Sequence, residues 1–279
     1  MLGAASGIGL ATAKLMAKKG WKVHGVDVNE EGLSQLETWA TIENVAVTIH
    51  ITDLSSLAGC QSLVESLNSL DALVNCAGVA VQAPVIGTSE QQMQLQSDVN
   101  IMAPLRLMRF CLPLLLDSKG VIVNVSSIAG HVGWTWQGIY SATKFAMDGA
   151  TDSFRREVLA NSLPVRVVKV QPGPVDTPLV HAVQGGLQRW VKNNPNHPMV
   201  NGMKRCGDTM VKANNFIDTS HASISVKPED VAMAIMVACI DDSPPAQYTV
   251  ISPGFNILFL LLKHSPTPIA DLLFTYSGM

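Results

Sequence analysis

Gly3-Ala4-Ala5-Ser6-Gly7-Ile8-Gly9 carries the spacing G-x-x-x-G-x-G. It runs straight into a helical pattern whose apolar side holds Ile8, Ala11, Leu15 and Met16, and which closes at Lys18-Lys19-Gly20. Glycines let a backbone turn sharply and approach another group closely, and the free N–H groups of a helix start attract an anion. Eighteen residues beyond Gly9, near the end of the apolar run Trp21–Val28, stands Asp27. A carboxylate there can bond a ribose 2′-hydroxyl and repels a 2′-phosphate. A glycine-rich turn alone is as often a plain helix start. With Asp27 at this distance, the segment reads as a dinucleotide cradle: Gly3, Ser6, Gly7, Ile8 and Gly9 on the pyrophosphate, Asp27 on the ribose, NAD favoured over NADP.

Working outward, apolar β-rich runs alternate with helical patterns. Strands are predicted at Trp21–Val28, Val45–Ile51, Ala72–Asn75, Val121–Val125, Val165–Val170 and Tyr248–Ile251. Helices are predicted at Ile8–Lys19, Leu57–Leu67, a long stretch near Glu90–Leu116, Tyr140–Leu159 and Pro228–Ile240. This alternation argues for βαβ units, a parallel sheet and a doubly wound, Rossmann-type α/β fold. One feature conflicts. Such a turn follows a strand that lies mid-sheet, and only Met1 and Leu2 precede Gly3. The first strand therefore reads as missing, as in a chain shortened at its N-terminus. Its neighbours would flank a slot of unpaired backbone groups.

The 279 residues include 47% apolar and only 15% charged ones, enough for a large core and unlike a disordered chain. With a net charge of −3, no basic excess points to nucleic acid, since there is little to neutralise phosphates with. Five cysteines, Cys60, Cys76, Cys111, Cys206 and Cys239, stand far apart with no C-x-x-C, so neither a disulfide scaffold nor a zinc site is expected. Met1–Leu10 holds glycines and no charged stretch followed by an apolar core, so it does not read as a secretory leader. A cytoplasmic or membrane-surface location follows. Phe255–Leu262 is apolar but too short to span a bilayer; it reads as a buried or lid helix, with membrane-surface contact the second reading.

Tyr140-Ser141-Ala142-Thr143-Lys144 puts a phenol and an ammonium four residues apart, on one helix face. At ~4 Å and an effective dielectric of ~20 the cation favours the phenolate by ~4 kcal/mol, easing proton exchange. Most Y-x-x-x-K pairs are ordinary surface residues, so the surroundings decide. Ser126-Ser127 ends a strand, and such ends face the ligand crevice of an open α/β sheet. Asn75-Cys76-Ala77-Gly78 follows another strand. Asn100 lies mid-helix, where asparagine is a mediocre helix former. Gln171-Pro172-Gly173-Pro174-Val175-Asp176-Thr177 makes a φ-restricted turn that could frame a flat ring. Read one by one, a turn residue or a solvated side chain explains each of these as well.

Together these residues resemble the short-chain dehydrogenase/reductase family, in the right order from Gly3 to about Thr177. Leu2 stands where that family usually has Thr. The resemblance implies one domain over 1–279, with a substrate-loop insertion at 179–225 and an apolar C-terminal segment at 254–279. It implies a catalytic set of Asn100, Ser127, Tyr140 and Lys144. It adds adenine contacts at Asp53 and Leu54, and cofactor contacts at Asn75, Ala77, Gly78, Tyr140, Lys144, Pro172, Gly173, Val175 and Thr177. Tyr140 would exchange the substrate proton, Lys144 would hold the ribose, Ser127 would bind the substrate oxygen, and Asn100 would place a water. Trp134, Trp136, Trp190, Met199 and Met203 could line an apolar pocket, though core packing is the commoner role. The tail, with Pro266-Thr267-Pro268 and Leu272-Leu273, is similar to those of retinol and 17β-hydroxysteroid dehydrogenases. The expectation is hydride transfer with a hydrophobic alcohol or carbonyl compound, by a homo-oligomer. The alternatives are an inert dinucleotide-binding sensor or scaffold, and an inactive fragment.

Overall fold

The computed structural model describes residues 1–205 and 225–271, with only the backbone of Val183 and Gln184. Six parallel strands form the centre: β1 (Val23–Asp27), β2 (Val47–Ile51), β3 (Ala72–Asn75), β4 (Val121–Val125), β5 (Arg166–Pro172) and β6 (Gln247–Val250). β1 pairs with β2, and β3, β4, β5 and β6 form a four-stranded sheet in that order. Leu2 lies between the two groups. It bridges to Val26 of β1, and its N–H donates to Val74 O of β3 at 3.0 Å. Val26 N–H donates to Met1 O at 2.9 Å, and the Met1 amino group donates to His24 O at 2.8 Å. Burial lowers that amino group to a pKa of about 6. Where the sequence predicts an empty slot, two extended residues close the end at which the glycine turn begins.

Helices cover both faces. On one side lie α1 (Gly7–Lys18), α2 (Glu30–Glu43) and, after residues 206–224, α8 (Pro228–Ile240). Ala13, Met16, Leu33, Leu36, Val231 and Ile235 pack there on Val121, Val123 and Val168. The other side carries α3 (Leu57–Glu65), α5 (Ala103–Ser118) and α6 (Gly138–Ala160), with Leu63, Leu107, Leu115 and Val158 against Leu73, Ile122 and Val167. Full burial of one such side chain stabilises by roughly 1.5–3 kcal/mol. This two-sided cover explains why β4 reads V-I-V-N-V with no alternation.

Three elements depart from the sequence expectation. α2 was not foreseen, because Thr38, Trp39, Thr41 and Ile42 blur its period. Its ends are nonetheless well marked: Asn29 accepts from Gly32 N–H, and Asn44 closes it at φ 54°. The predicted long helix is α4 (Glu90–Ser97), a widened π-type turn at Asp98–Met102 and then α5. That stretch, Glu90–Ser118, is long and apolar enough to cross a membrane by length and composition, but its inner face is core. The expected loose insertion begins as a regular helix, α7 (Pro178–Asn193); residues 206–224 of it, Cys206 and Leu272-Leu273 fall outside the described residues.

Candidate active site

Tight glycine geometry shapes the crevice at its first turn. Gly3 and Gly7 take φ of +74° and +51°, and a Cβ on Gly9 would stand 1.9 Å from Gly3 O. Ser6 begins α1 with extended backbone, no side-chain cap and no acidic residue in the first turn, which leaves the helix N–H groups open to an anion. Asp27 sits beside them: its Oδ2 accepts from Ala5 N–H at 3.2 Å and its Oδ1 from Asn29 N–H at 3.0 Å. Thr177 Cγ2 comes within 3.0 Å of where a Gly7 Cβ would be, so the segment after β5 leans on this turn. Val175 and Pro172 are buried, and Gly173 N–H donates to Val250 O at 2.9 Å. On the far side, Ser55 donates both its hydroxyl (2.7 Å) and its N–H (2.9 Å) to Asp53, holding that carboxyl below its usual range. Leu54 is buried beneath it. The open N–H groups, the space that glycine leaves and the absence of an acidic first turn fit a dinucleotide pyrophosphate.

Next to it, Asn100 sits at the centre of the π-type turn, a distortion that often marks a functional position. Its Oδ1 accepts from Val79 N–H (2.9 Å), and its Nδ2 donates to Val79 O (2.8 Å) and Thr143 Oγ1 (3.0 Å). One asparagine thereby joins the loop after β3 to α6. The buried Lys144 Nζ donates to Val125 O at 3.1 Å and lies 5.6 Å from the Tyr140 ring centre. Tyr140 and Ser127 are half-buried. Ser127 opens a short turn, Ile128–Gly130, and its Oγ accepts from Ala129 N–H at 3.1 Å. A Cβ on Gly78 would be 3.5 Å from Asn100 Oδ1 and 3.9 Å from Lys144 Nζ, so three segments distant in sequence converge there.

Two of the expected contact residues also make structural contacts. Asn75 donates to Asn124 Oδ1 (2.7 Å), and Asn124 donates to Thr151 Oγ1 (2.9 Å), a chain that ties β3, β4 and α6. The Ala77 backbone lies against Gly3. Burial pushes the thiol of Cys76, between Asn75 and Ala77, up to about 12. Asn75 Oδ1 and Ser126 Oγ have no protein partner, and both residues line a cavity of about 10 Å³ with Asn100 and Lys144. That is close to the space of one water.

On the substrate side, Trp190 and Met203 are buried with Trp136 against Val81 and Ala83, while Met199 is largely exposed. Trp136 holds φ +65°, costly for an aromatic residue, and its O accepts from Ala83 N–H at 2.8 Å. α9 (Pro253–His264) lays Phe255, Phe259 and Leu262 over Ile128 and Val132, with Trp134 stacked on Phe255. A cavity of about 430 Å³ lies between α7 and residues 80–92, with Arg189 and Trp190 in its wall and none of the four catalytic candidates. Sequence reading missed His131 and Asp148. Continuing the Tyr140–Lys144 spacing by one more turn would have found Asp148.

Residues 1–187 match the family model described as short chain dehydrogenase. An uncharacterized oxidoreductase of Staphylococcus epidermidis is 31% identical over 194 residues, covering 67% of this chain and 81% of its own. Serine 3-dehydrogenase of Agrobacterium fabrum is 29% identical over 227 residues, 72% of this chain and 90% of the relative. A solved serine dehydrogenase, in a closed form complexed with NADP+, superposes with a TM-score of 0.71 at 21% identity, over 90% of this chain and 93% of that one. Strand order, crevice and sequence agree: the chain belongs to the short-chain dehydrogenase/reductase family.

Proposed function

We propose that the chain transfers hydride between a nicotinamide cofactor and an apolar alcohol or carbonyl compound of steroid-, retinoid- or lipid-like character. The observation that carries this reading is the convergence of Asn100 and Lys144 on Gly78, one helical turn from Tyr140. Bound at the glycine turn, the cofactor supplies or accepts the hydride. Tyr140 gives its proton to the carbonyl oxygen in reduction and takes the hydroxyl proton in oxidation. Lys144, fixed by Val125 O, stabilises the phenolate and reaches the ribose. Ser127 holds the substrate oxygen. Asn100 keeps the loop after β3 in place and orders a water beside Lys144. Gly3, Ser6, Gly7, Ile8 and Gly9 hold the pyrophosphate; Asp53 and Leu54 meet the adenine; Ala77, Gly78, Pro172, Gly173, Val175 and Thr177 wall the nicotinamide side.

Asp27 beside the turn, followed by Val28 and Asn29 with no cation, favours NAD over NADP. The apolar residues around the Ser127 turn, Ile128, Val132 and Trp134, favour an apolar substrate. Ile257, Leu260 and Leu261 on the outer face of α9 are exposed, with Lys263 and His264 at its end, and suit contact with a membrane surface. Met102 and Phe145, exposed on neighbouring helices, suit self-association.

The test is a screen of steroid, retinoid, fatty and amino-acid alcohols and ketones, followed at 340 nm with NAD(H) and NADP(H). Turnover of an apolar compound, faster with NAD(H), is expected. Tyr140→Phe keeps the ring and removes the proton donor, so kcat falls at least ~100-fold while NADH still binds. NADH binding with no turnover across the panel would return the chain to the sensor reading, and near-normal turnover by Tyr140→Phe would remove Tyr140 from the chemistry.

A further inference from the structure

Behind the catalytic pair lies a second set of polar groups that the reaction as described does not use. Tyr140, Lys144 and Asp148 follow one another at four-residue spacing along α6. The Asp148 side chain is buried at 6% exposure. Its Oδ2 accepts from Gln171 Nε2 at 2.5 Å, and its Oδ1 has no protein partner. Gln171 Oε1 in turn meets His131 Nε2 at 3.0 Å. A Cβ on Gly130 would lie 2.4 Å from Asp148 Oδ2 and 3.1 Å from Lys144 O, so the turn that follows Ser127 rests directly on this carboxylate and on α6.

The direction of the chain follows from donor accounting. An ionised carboxylate only accepts, so the Gln171 amide nitrogen faces Asp148. Gln171 must then present its oxygen to His131, and His131 must carry hydrogen on Nε2. Of the two tautomers of the imidazole, this direction selects the one with hydrogen on Nε2. Each residue belongs to a different part of the site. Asp148 is one turn beyond Lys144, Gln171 immediately precedes Pro172-Gly173, and His131 immediately follows the Ile128–Gly130 turn.

We propose that Asp148, Gln171 and His131 form a buried positioning chain, in which the Asp148 charge sets the hydrogen-bond direction and so fixes the Ser127 turn and the segment after β5 against α6. This deepens the oxidoreductase reading and rests on it for its kinetic consequence. The groups around it are few. Asp148 faces Gln171, the Gly130 backbone and, one turn back on α6, Lys144. His131 faces Gln171 and the Phe259 ring, over which Lys263 Nζ stands at 5.8 Å.

Asp148→Asn tests the idea, because it preserves shape and removes only the charge that imposes direction. An asparagine can donate or accept toward Gln171, so the chain can run either way. Gln171→Leu cuts it outright. Ring-nitrogen NMR on the whole protein should show His131 as a single Nε2–H tautomer in the wild type and as a mixture in both variants. With a carbonyl substrate from the screen, kcat should drop about tenfold in each, with the NADH Kd changed less than about twofold. A His131 ring that stays Nε2–H in Asp148→Asn, or a kcat that stays at wild-type level, overturns the proposal. So does a uniform loss of NADH binding and thermal stability, which is what a packing role alone predicts. The tautomer measurement needs no substrate, so it judges the chain even if no compound is turned over; a silent wild type would count against the oxidoreductase reading instead.

Discussion

Asn100 in the crevice floor and Leu260 on the outside of α9 have opposite surroundings. Asn100 is 2% exposed and makes three hydrogen bonds to two other segments. Leu260 is 47% exposed and contributes no buried contact to the cluster beneath it. The floor is specified atom by atom, through donors and acceptors that have one arrangement. The outer wall is specified only by being apolar. The first kind of construction suits chemistry that needs fixed geometry; the second suits a surface that needs only apolar character. That contrast predicts that floor substitutions strike stability and kcat, while wall substitutions strike what the protein associates with.

The largest effect is expected at Asn100. Asn100→Ala strips a donor and an acceptor from Val79 and one partner from Thr143, in surroundings that water replaces poorly. Leaving such groups unmade costs about 1–3 kcal/mol each at most, and sharing the loss over partly buried atoms gives about 3 kcal/mol in all. Urea unfolding at pH 7 should read that drop, and kcat should fall with it. A loss below about 1 kcal/mol would place the floor in the same class as the wall.

How much of this was legible in the sequence depends on which kind of construction a residue serves. Ala72–Asn75 and Val121–Val125 were readable to the residue, because strands buried on both faces read as near-continuous apolar runs. Tyr140 and Lys144 were readable because their chemistry is set by spacing on a single helix. Asn100 could be suspected but not explained. The π-type turn that aims it at Val79 leaves no trace in the apolar pattern of Glu90–Leu116, which counts faces and not turn width. Asn75 was read as a cofactor contact; that its amide nitrogen also bonds Asn124 on the neighbouring strand is a pairing 49 residues away in sequence that no local pattern contains. His131 stayed hidden for the same reason, whereas Asp148 stood one turn beyond Lys144 on the same helix. α7 was obscured by Gly185-Gly186 in mid-helix, where packing of Leu187 and Trp190 on Val81 and Ala83 outweighs propensity.

A smaller effect sharpens the floor's side of the comparison. Lys169, 5% exposed on β5, donates to Asp152 on α6 at 2.9 Å, and Arg155 stands at 3.6 Å. Partial burial opposes ionisation of Asp152, but Lys169 and Arg155 outweigh it and the carboxyl lies below its usual range. A carboxyl depressed in the folded state contributes stability that is present above its unfolded pKa and is lost as pH falls through the folded value. Asp152→Asn should therefore cost about 2 kcal/mol at pH 7, where it leaves Lys169 buried without its counter-charge. The gap to wild type should narrow as pH falls below about 4, the ordinary range of the carboxyl. Urea unfolding at pH 7 and pH 3.5 separates the cases; an equal gap at both would mean that the pair contributes shape and not charge.

The smallest effect belongs to the wall. On α9, Ile257, Leu260 and Leu261 form an exposed stripe at i, i+3 and i+4, while Phe255, Phe259 and Leu262 face inward on Ile128 and Val132. Replacing Leu260 and Leu261 by Ser leaves that inner face untouched, so the fold and the kinetics on a water-soluble carbonyl should stay within about twofold of wild type. What should change is partition onto vesicles containing anionic phospholipid. There the two leucines enter the interface and Lys263 adds its charge, and partial burial of the leucines is worth about 1 kcal/mol together, roughly a fivefold loss of bound protein. Cosedimentation measures it directly. Wild-type protein that stays in the supernatant with such vesicles would strip the stripe of a membrane role, and the apolar wall would then have to be explained by contact with another protein surface.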